Sequence, residues 1–350
     1  MYFKSDNGSA VHPMVMDAMA KANQGYSDSY GDDLIMDRVR DKVRDLFEAP
    51  EAAVYLVATG TTANVLSLAI NVTPWQAIYC HPLSHIHNDE CNAPEFYTGG
   101  AKLKLVEGKD GLIPASALET AIASSMQGDV HCTQRGVVSI TNLSEAGTRY
   151  TTAAVRELGA IAHSYNLPLH MDGARFANAM VASAASPAEL TWKSGVDILS
   201  FGGTKNGLMG VEAVVLFDPE KAWEFELRRK RGGHLFSKHR YLSAQMDAYL
   251  DGDLWIEMAT SSNQKAARLS QGILKLPDAS LVYPTDGNIV FASMPRARHR
   301  QAMEAGAKYY FVSPTATTNG PDDEQLAARF VCSWSTTDKD IDAFLKLAQS

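Results

Sequence analysis

The chain has 350 residues, 45% apolar and 21% charged, an ordinary globular composition that excludes a largely disordered chain. Thirty-two basic residues against 40 acidic ones leave a net charge of −8, which argues against general nucleic-acid binding. The basic run Arg228-Arg229-Lys230-Arg231 is too short to alter that, although beside Gly232-Gly233 it is placed to meet an anion.

No apolar run approaches the roughly 18 residues of a membrane span, and the N-terminal MYFKSDNGSA lacks the apolar stretch of a signal peptide. Cys80, Cys91, Cys132 and Cys332 lack metal-ligand spacing and read as free thiols of a cytoplasmic protein.

Residues 33–47 read as an amphipathic helix, with Ile35, Val39, Val43, Leu46 and Phe47 at three- and four-residue steps. Ala49-Pro50 closes it, because proline disfavours helix in the residue before it. VYLVATG leads into a helix over 62–70, and AIYC (77–80) is a buried strand followed by the polar loop HPLSHIHNDE. GVVSIT (136–141) has the apolar, β-branched character of a strand inside a parallel sheet. Thr151 or Thr152 caps a helix whose Val155, Leu158, Ile161, Ala162 and Tyr165 share one face. LPLHMD, VDILSF (196–201) and AVVLFD (213–218) follow as strands. This alternation predicts an α/β domain with a mostly parallel sheet.

After Gly233 the pattern changes to helices over 241–250 and 256–274, then two isolated strands, 288–294 and 328–334. Between the strands lie an amphipathic helix and the connection SPTATTNGPDDE. A last helix starts near Thr337, with Asp340 as its capping-box partner. The expected division is a large domain over 1–240 and a smaller C-terminal α/β domain over 241–350.

Two segments carry reactive groups at the ends of strands: LPLHMDGARFANA, with Asp172, and SFGGTKNG, with Lys205. At the C-terminal edge of a parallel sheet they supply a carboxylate and an amine to one crevice. Pyridoxal 5′-phosphate requires that pair, a lysine for the Schiff base and an acid against the pyridine nitrogen. Alone, Lys205 reads first as a surface lysine and Asp172 as a helix cap; together they favour the cofactor site. Arg175, three residues past Asp172, faces the ring hydroxyl, the substrate carboxylate or a surface partner.

Thr59-Gly60-Thr61-Thr62-Ala63-Asn64 is a glycine turn entering a helix, where free N–H groups and the helix dipole favour phosphate. Thr204 offers a further phosphate contact. His81, His85, His87 and His131 are candidates for ring stacking and proton transfer, with Glu90 as an orienting acid or a simple helix-start residue. No third and fourth ligand at fixed spacing supports a metal site.

With these residues assembled, the chain resembles the L-threonine aldolase family of fold-type-I pyridoxal phosphate enzymes. The resemblance runs through SDN (5–7), GYSDSYGDD (25–33), ATGTTAN (58–64), SHIHNDE (84–90), HMDGARFANA (170–179), GGTKNG, RRKRGGH (228–234) and ARFVCSW. It implies an aspartate-aminotransferase-like fold, a large domain with a seven-stranded type of sheet and a smaller C-terminal domain.

The resemblance also assigns roles. Lys205 is the Schiff-base lysine, Asp172 the ring-nitrogen partner and His85 the stacking residue. Gly60, Thr61, Thr62 and Thr204 surround the phosphate, and Arg229 reaches the phosphate of a neighbouring subunit. Arg175 faces the cofactor or the substrate; Ser5, Tyr30, Arg175 and Arg329 bind substrate. His131 corresponds to a second histidine considered for acid–base work. A homotetramer, a dimer of dimers with sites at the dimer interface, is implied as well. Thr204 replaces the usual serine, Asn206 the commoner glycine, and GGHLFSKHRYLSAQ departs from the family's loop at that place.

The expected reaction is cleavage of L-threonine, L-allo-threonine or a phenylserine to glycine and an aldehyde, with His85, His131 or a water they hold as the base. Other fold-type-I activities (β-elimination, amino transfer, racemisation) and a catalytically inert scaffold are the competing readings, because function resides in the site and not the fold.

Overall fold

A computed structural model describes residues 1–349. Among them, seven strands form the larger sheet: β1 (Ala53–Val57), β2 (Gln76–Cys80), β3 (Lys102–Leu105), β4 (Gln134–Thr141), β5 (Leu169–Gly173), β6 (Ile198–Gly202) and β7 (Glu212–Leu216). Their spatial order is β1-β7-β6-β5-β4-β2-β3. Strands β3, β2, β4, β5 and β6 pair in parallel, and β7 runs antiparallel to both β6 and β1. Strands β5, β6 and β7 are buried along their whole length, which is why they read as continuous apolar runs and not as alternating ones. Nothing in AVVLFD could reveal its reversed direction, since a strand buried on both faces has the same pattern either way.

The helices start where the sequence supplies a cap. Helix Leu34–Leu46 begins at Asp33, whose Oδ1 accepts from the Met36 N–H at 3.0 Å. Thr151, and not Thr152, caps Thr152–Ser164. Thr337 and Asp340 form the expected reciprocal cap of Asp338–Gln349. Strand β3 escaped the sequence reading because KLKL alternates lysine with leucine, the pattern of a sheet edge.

A second, antiparallel sheet comprises β8 (Ser280–Leu281), β9 (Ile289–Pro295), β10 (Tyr310–Phe311) and β11 (Gln325–Val331), in the order β10-β11-β9-β8. The predicted strand at 328–334 therefore starts three residues earlier, at Gln325. Two-residue strands such as β8 and β10 are too short to carry a period. This sheet has its own apolar core around Leu269, Ile273, Phe330 and Phe344, and Phe3 belongs to it. The Phe3 N–H donates to the Lys308 carbonyl at 2.7 Å, and the Val331 N–H donates back to the Phe3 carbonyl at 2.9 Å. Pinned this way, the N-terminus carries residues 5–7 to the edge of the larger sheet. No helix among the described residues is long and apolar enough to cross a membrane.

Candidate active site

The site lies beyond the C-terminal ends of β5 and β6, the edge where open α/β sheets bind ligands. Asp172 is the penultimate residue of β5, in register with Thr141 of β4 and Ser200 of β6. Its Oδ1 accepts from the Ala174 N–H at 3.0 Å, as a capping acid would, but its Oδ2 accepts from Asn64 Nδ2 at 2.9 Å. Beyond β6 a single 3-10 turn, Thr204–Asn206, carries Lys205. A Cβ on Gly202 would stand 2.3 Å from the Ala174 carbonyl oxygen, so only glycine lets the two strand ends approach. Asn206, the departure from the family pattern, anchors the turn from below: its Nδ2 donates to Tyr249 Oη at 2.8 Å and the Trp255 carbonyl at 2.9 Å.

Lys205 and Asp172 line one cavity of about 270 Å³, with Gly60, Thr61, His85 and Thr204; Asn7, Asn64 and Glu212 are also among its lining residues. Lys205 Nζ has no hydrogen-bond or ion-pair partner among the described residues. Helix Gly60–Ala69 begins at this cavity, and the position of a Cβ on Gly60 is open space. Thr62 is placed differently from expectation. Its N–H donates to Thr59 Oγ1 at 3.1 Å and its hydroxyl lies 2.8 Å from the same oxygen and 3.3 Å from His234 Nδ1, while Gly60 and Thr61 line the cavity.

His85 opens the short helical turn His85–Asn88, its Nδ1 2.8 Å from Glu90 Oε1. That oxygen also accepts from Asn64 Nδ2 at 2.9 Å. The hydrogen bond to Glu90 holds the His85 imidazole above its ordinary pKa against the pull of partial burial, and burial raises Glu90 in turn. The other histidines are elsewhere. His81 has its ring nitrogens on the Leu83 N–H and the Gly108 carbonyl, both at 3.0 Å. His131 is exposed in the connection ahead of β4, at the opposite edge of the sheet, with its N–H on Asp129.

Arg175 sits just past β5 with its side chain only 2% exposed. It grips Asp6 with two bonds, Nε to Oδ2 at 2.7 Å and Nη2 to Oδ1 at 3.1 Å. Asn288, at the start of β9, donates to the same carboxylate at 3.0 Å. Burial alone would raise Asp6, but the Arg175 guanidinium holds it below the usual carboxylate range. Ser5 caps this N-terminal turn through the Asn7 N–H at 3.2 Å. Arg329 projects from β11 with its Nε buried and unpartnered. Burial and the neighbouring Arg175 lower its pKa, against the opposing pull of Glu145, Asp6 and Asp89.

Arg229 and Tyr30 do not line this cavity within the one chain. Arg229 is buried against the Tyr55 ring, 5.0 Å from its centroid, with Nη1 on the Leu56 carbonyl at 3.4 Å. Tyr30 is half-exposed beneath Lys230, its N–H on the Ser237 carbonyl at 3.2 Å. Sequence reasoning missed Asp6, Asn64, Glu145, Glu212 and Asn288 as parts of the site. Asp6 and Asn64 stand inside quoted motifs, yet their partners Arg175 and Asp172 are 169 and 108 positions away, beyond any local pattern.

The donor set fits pyridoxal 5′-phosphate. An unpartnered lysine, a carboxyl group and an imidazole lining one cavity, with a helix N-terminus for the phosphate, are together the groups this cofactor requires.

Sheet order, a single antiparallel strand between β6 and β1, and a lysine and an aspartate lining one cavity define the class: a fold-type-I α/β enzyme. Serine palmitoyltransferase of Sphingomonas wittichii shares this fold at a TM-score of 0.73 and 15% identity, covering 100% of this chain and 86% of that one. The chain belongs to the beta-eliminating lyase family, whose model matches residues 3–296. The low specificity L-threonine aldolase of Pseudomonas aeruginosa is 38% identical over 99% of this chain and 96% of its own. That of a Pseudomonas species is 37% identical over 95% and 93%. The threonine aldolase of Leishmania major superposes with a TM-score of 0.90 at 25% identity, covering 99% of this chain and 98% of that one.

Proposed function

We propose that the chain is a pyridoxal-phosphate-dependent carbon–carbon lyase that cleaves L-threonine, L-allo-threonine and related β-hydroxy-α-amino acids, phenylserine among them, to glycine and an aldehyde. The observation that carries this reading is the Lys205/Asp172 pair across one cavity, in a chain 38% identical to an L-threonine aldolase over nearly its full length.

When bound, the cofactor supplies a covalent attachment for the amino group and an electron sink for the bond that breaks. The chain's own residues do the rest. Lys205 is the attachment amine, and the Asp172 carboxylate favours a protonated ring nitrogen, because opposite charges stabilise the charged form. Gly60, Thr61 and Thr204 hold the phosphate. Arg329 has a buried, unpartnered N–H for the substrate carboxylate, whereas Arg175 has already committed two donors to Asp6 and presents the remainder to the ring hydroxyl or substrate. By clamping the carboxylate, Arg175 and Arg329 would fix the substrate's orientation, and so favour breaking of Cα–Cβ. His85 takes the β-hydroxyl proton, directly or through a water. Glu90 on Nδ1 leaves Nε2 free for that work, and such a base contributes about 10²–10⁴-fold.

The dimer-of-dimers assembly belongs to this reading too. It draws support from the exposed Phe96 and Leu227, which with Arg228 and Arg231 border an open groove of about 940 Å³. Four free cysteines agree with a reducing cytoplasm. The deciding experiment incubates purified protein and cofactor with a panel of β-hydroxy amino acids. Glycine plus an aldehyde is expected; pyruvate and ammonia, or a keto acid, would reassign the chain to β-elimination or amino transfer.

A further inference from the structure

Glu212 is a buried acid that the reaction above does not use. It is the first residue of β7, in register with Gly202 of β6 on one side and Val57 of β1 on the other. Those strand ends lead respectively into the Lys205 turn and the Thr59–Gly60 helix start, so the carboxylate stands between the two segments that face a phosphate. Its Oε2 accepts from the Gly203 N–H at 2.6 Å, and the side chain lines the same cavity as Thr61, Thr204 and Lys205. Thr204 Oγ1 is itself fixed by the Val211 N–H at 3.1 Å. Glu212 therefore caps the lysine turn from a neighbouring strand and takes up a donor that a phosphate could otherwise have used.

We propose that Glu212 is a positioning residue that holds the Lys205 turn and makes phosphomonoester binding in the cavity proton-linked, the anion being held tightest when Glu212 carries a proton. The inference rests on the cofactor reading above. An ionised carboxylate on the cavity wall repels a phosphate dianion, and a protonated one does not. Burial pushes Glu212 up to about 7, against the pull of its hydrogen bonds to Thr204 and Gly203 and of the Lys205 charge, so the change of state falls in the neutral range. The titratable groups acting on it are Lys205 from the turn and Tyr249 from helix Arg240–Tyr249, whose own phenol is raised by burial and by Glu212. Asp172 and His85 line the same cavity. By linkage, affinity for the anion falls by up to about tenfold per pH unit above the Glu212 titration.

The test uses pyridoxine 5′-phosphate, which carries the ring and phosphate but no aldehyde, so that imine chemistry does not contribute. Its dissociation constant is measured from pH 6 to 9 for the wild-type protein and for Glu212→Gln, which keeps an oxygen for the Gly203 N–H. The probe's own ionisation cancels in the ratio of the two. The ratio should change by about tenfold or more between pH 6.5 and 8.5, with the wild type losing affinity faster. Parallel pH dependences overturn the proposal. Should Glu212→Gln fail to fold, calorimetry of the wild type in buffers of different ionisation heat reads the same linkage as net proton uptake on binding at pH 7.5; no uptake overturns it equally. A wild-type protein that binds neither this probe nor pyridoxal phosphate would instead sink the cofactor reading, so the two failures are distinguishable.

Discussion

Glu90 holds His85 by its Nδ1 at 2.8 Å with the same oxygen that Asn64 reaches at 2.9 Å, while Asn64 also donates to Asp172 at 2.9 Å. One amide thus bridges two buried carboxylates, linking Asp172 to the acid behind the imidazole. The pair retains one proton to higher pH than a lone imidazole would, because the hydrogen bond raises His85 and burial raises Glu90.

Glu90→Gln should therefore separate geometry from charge. As a base, His85 works neutral, so the acid limb of the kcat/KM profile follows its pKa. Removing the carboxylate lowers that pKa, and the acid limb should move to lower pH while kcat falls on the order of 10–100-fold. A limb that stays in place, or moves up, contradicts His85 as the titrating base.

Lys205→Ala should abolish turnover. In the wild type, borohydride reduction of the cofactor-loaded protein followed by peptide mapping should place the pyridoxyl label on the peptide containing Lys205. A label on another side chain removes the central assignment.

The Asp6–Arg175 pair predicts an acid-sensitive fold. Asp6 titrates below its ordinary range when folded, so its stabilisation is complete above the unfolded carboxylate value of about 4 and is lost as pH falls through the lower, folded value. With side chains 0% and 2% exposed, breaking the pair by Asp6→Ala should cost about 3–5 kcal/mol, since an unpaired buried cation remains. Thermal melts at pH 7 and pH 3 check both statements: the variant should melt lower at pH 7 and lose less than the wild type on acidification.

His131→Ala should leave kcat/KM within about twofold of wild type, as expected for an exposed residue distant from the chemistry. Steady-state kinetics with L-threonine decide this. A loss comparable with that of His85→Ala would return His131 to the acid–base role and require the site to be completed by another subunit.

What the sequence determined by itself was whatever local chemistry encodes. Buried parallel strands announce themselves as apolar, β-branched runs, and caps such as Thr151 and Thr337 mark helix starts through side-chain oxygens three residues from their targets. Lys205 and Asp172 were legible because each stands at or just beyond the end of such a strand, and the fold's chirality and register bring strand ends together. Tertiary structure alone decided the direction of β7, the exclusion of His131 and Thr62 from the cavity, and the partnership of Asp6, Asn64 and Glu212 with the reactive groups. Those pairings join segments up to 169 positions apart. They exist only where burial removes water and obliges each polar atom to find a partner in the folded chain.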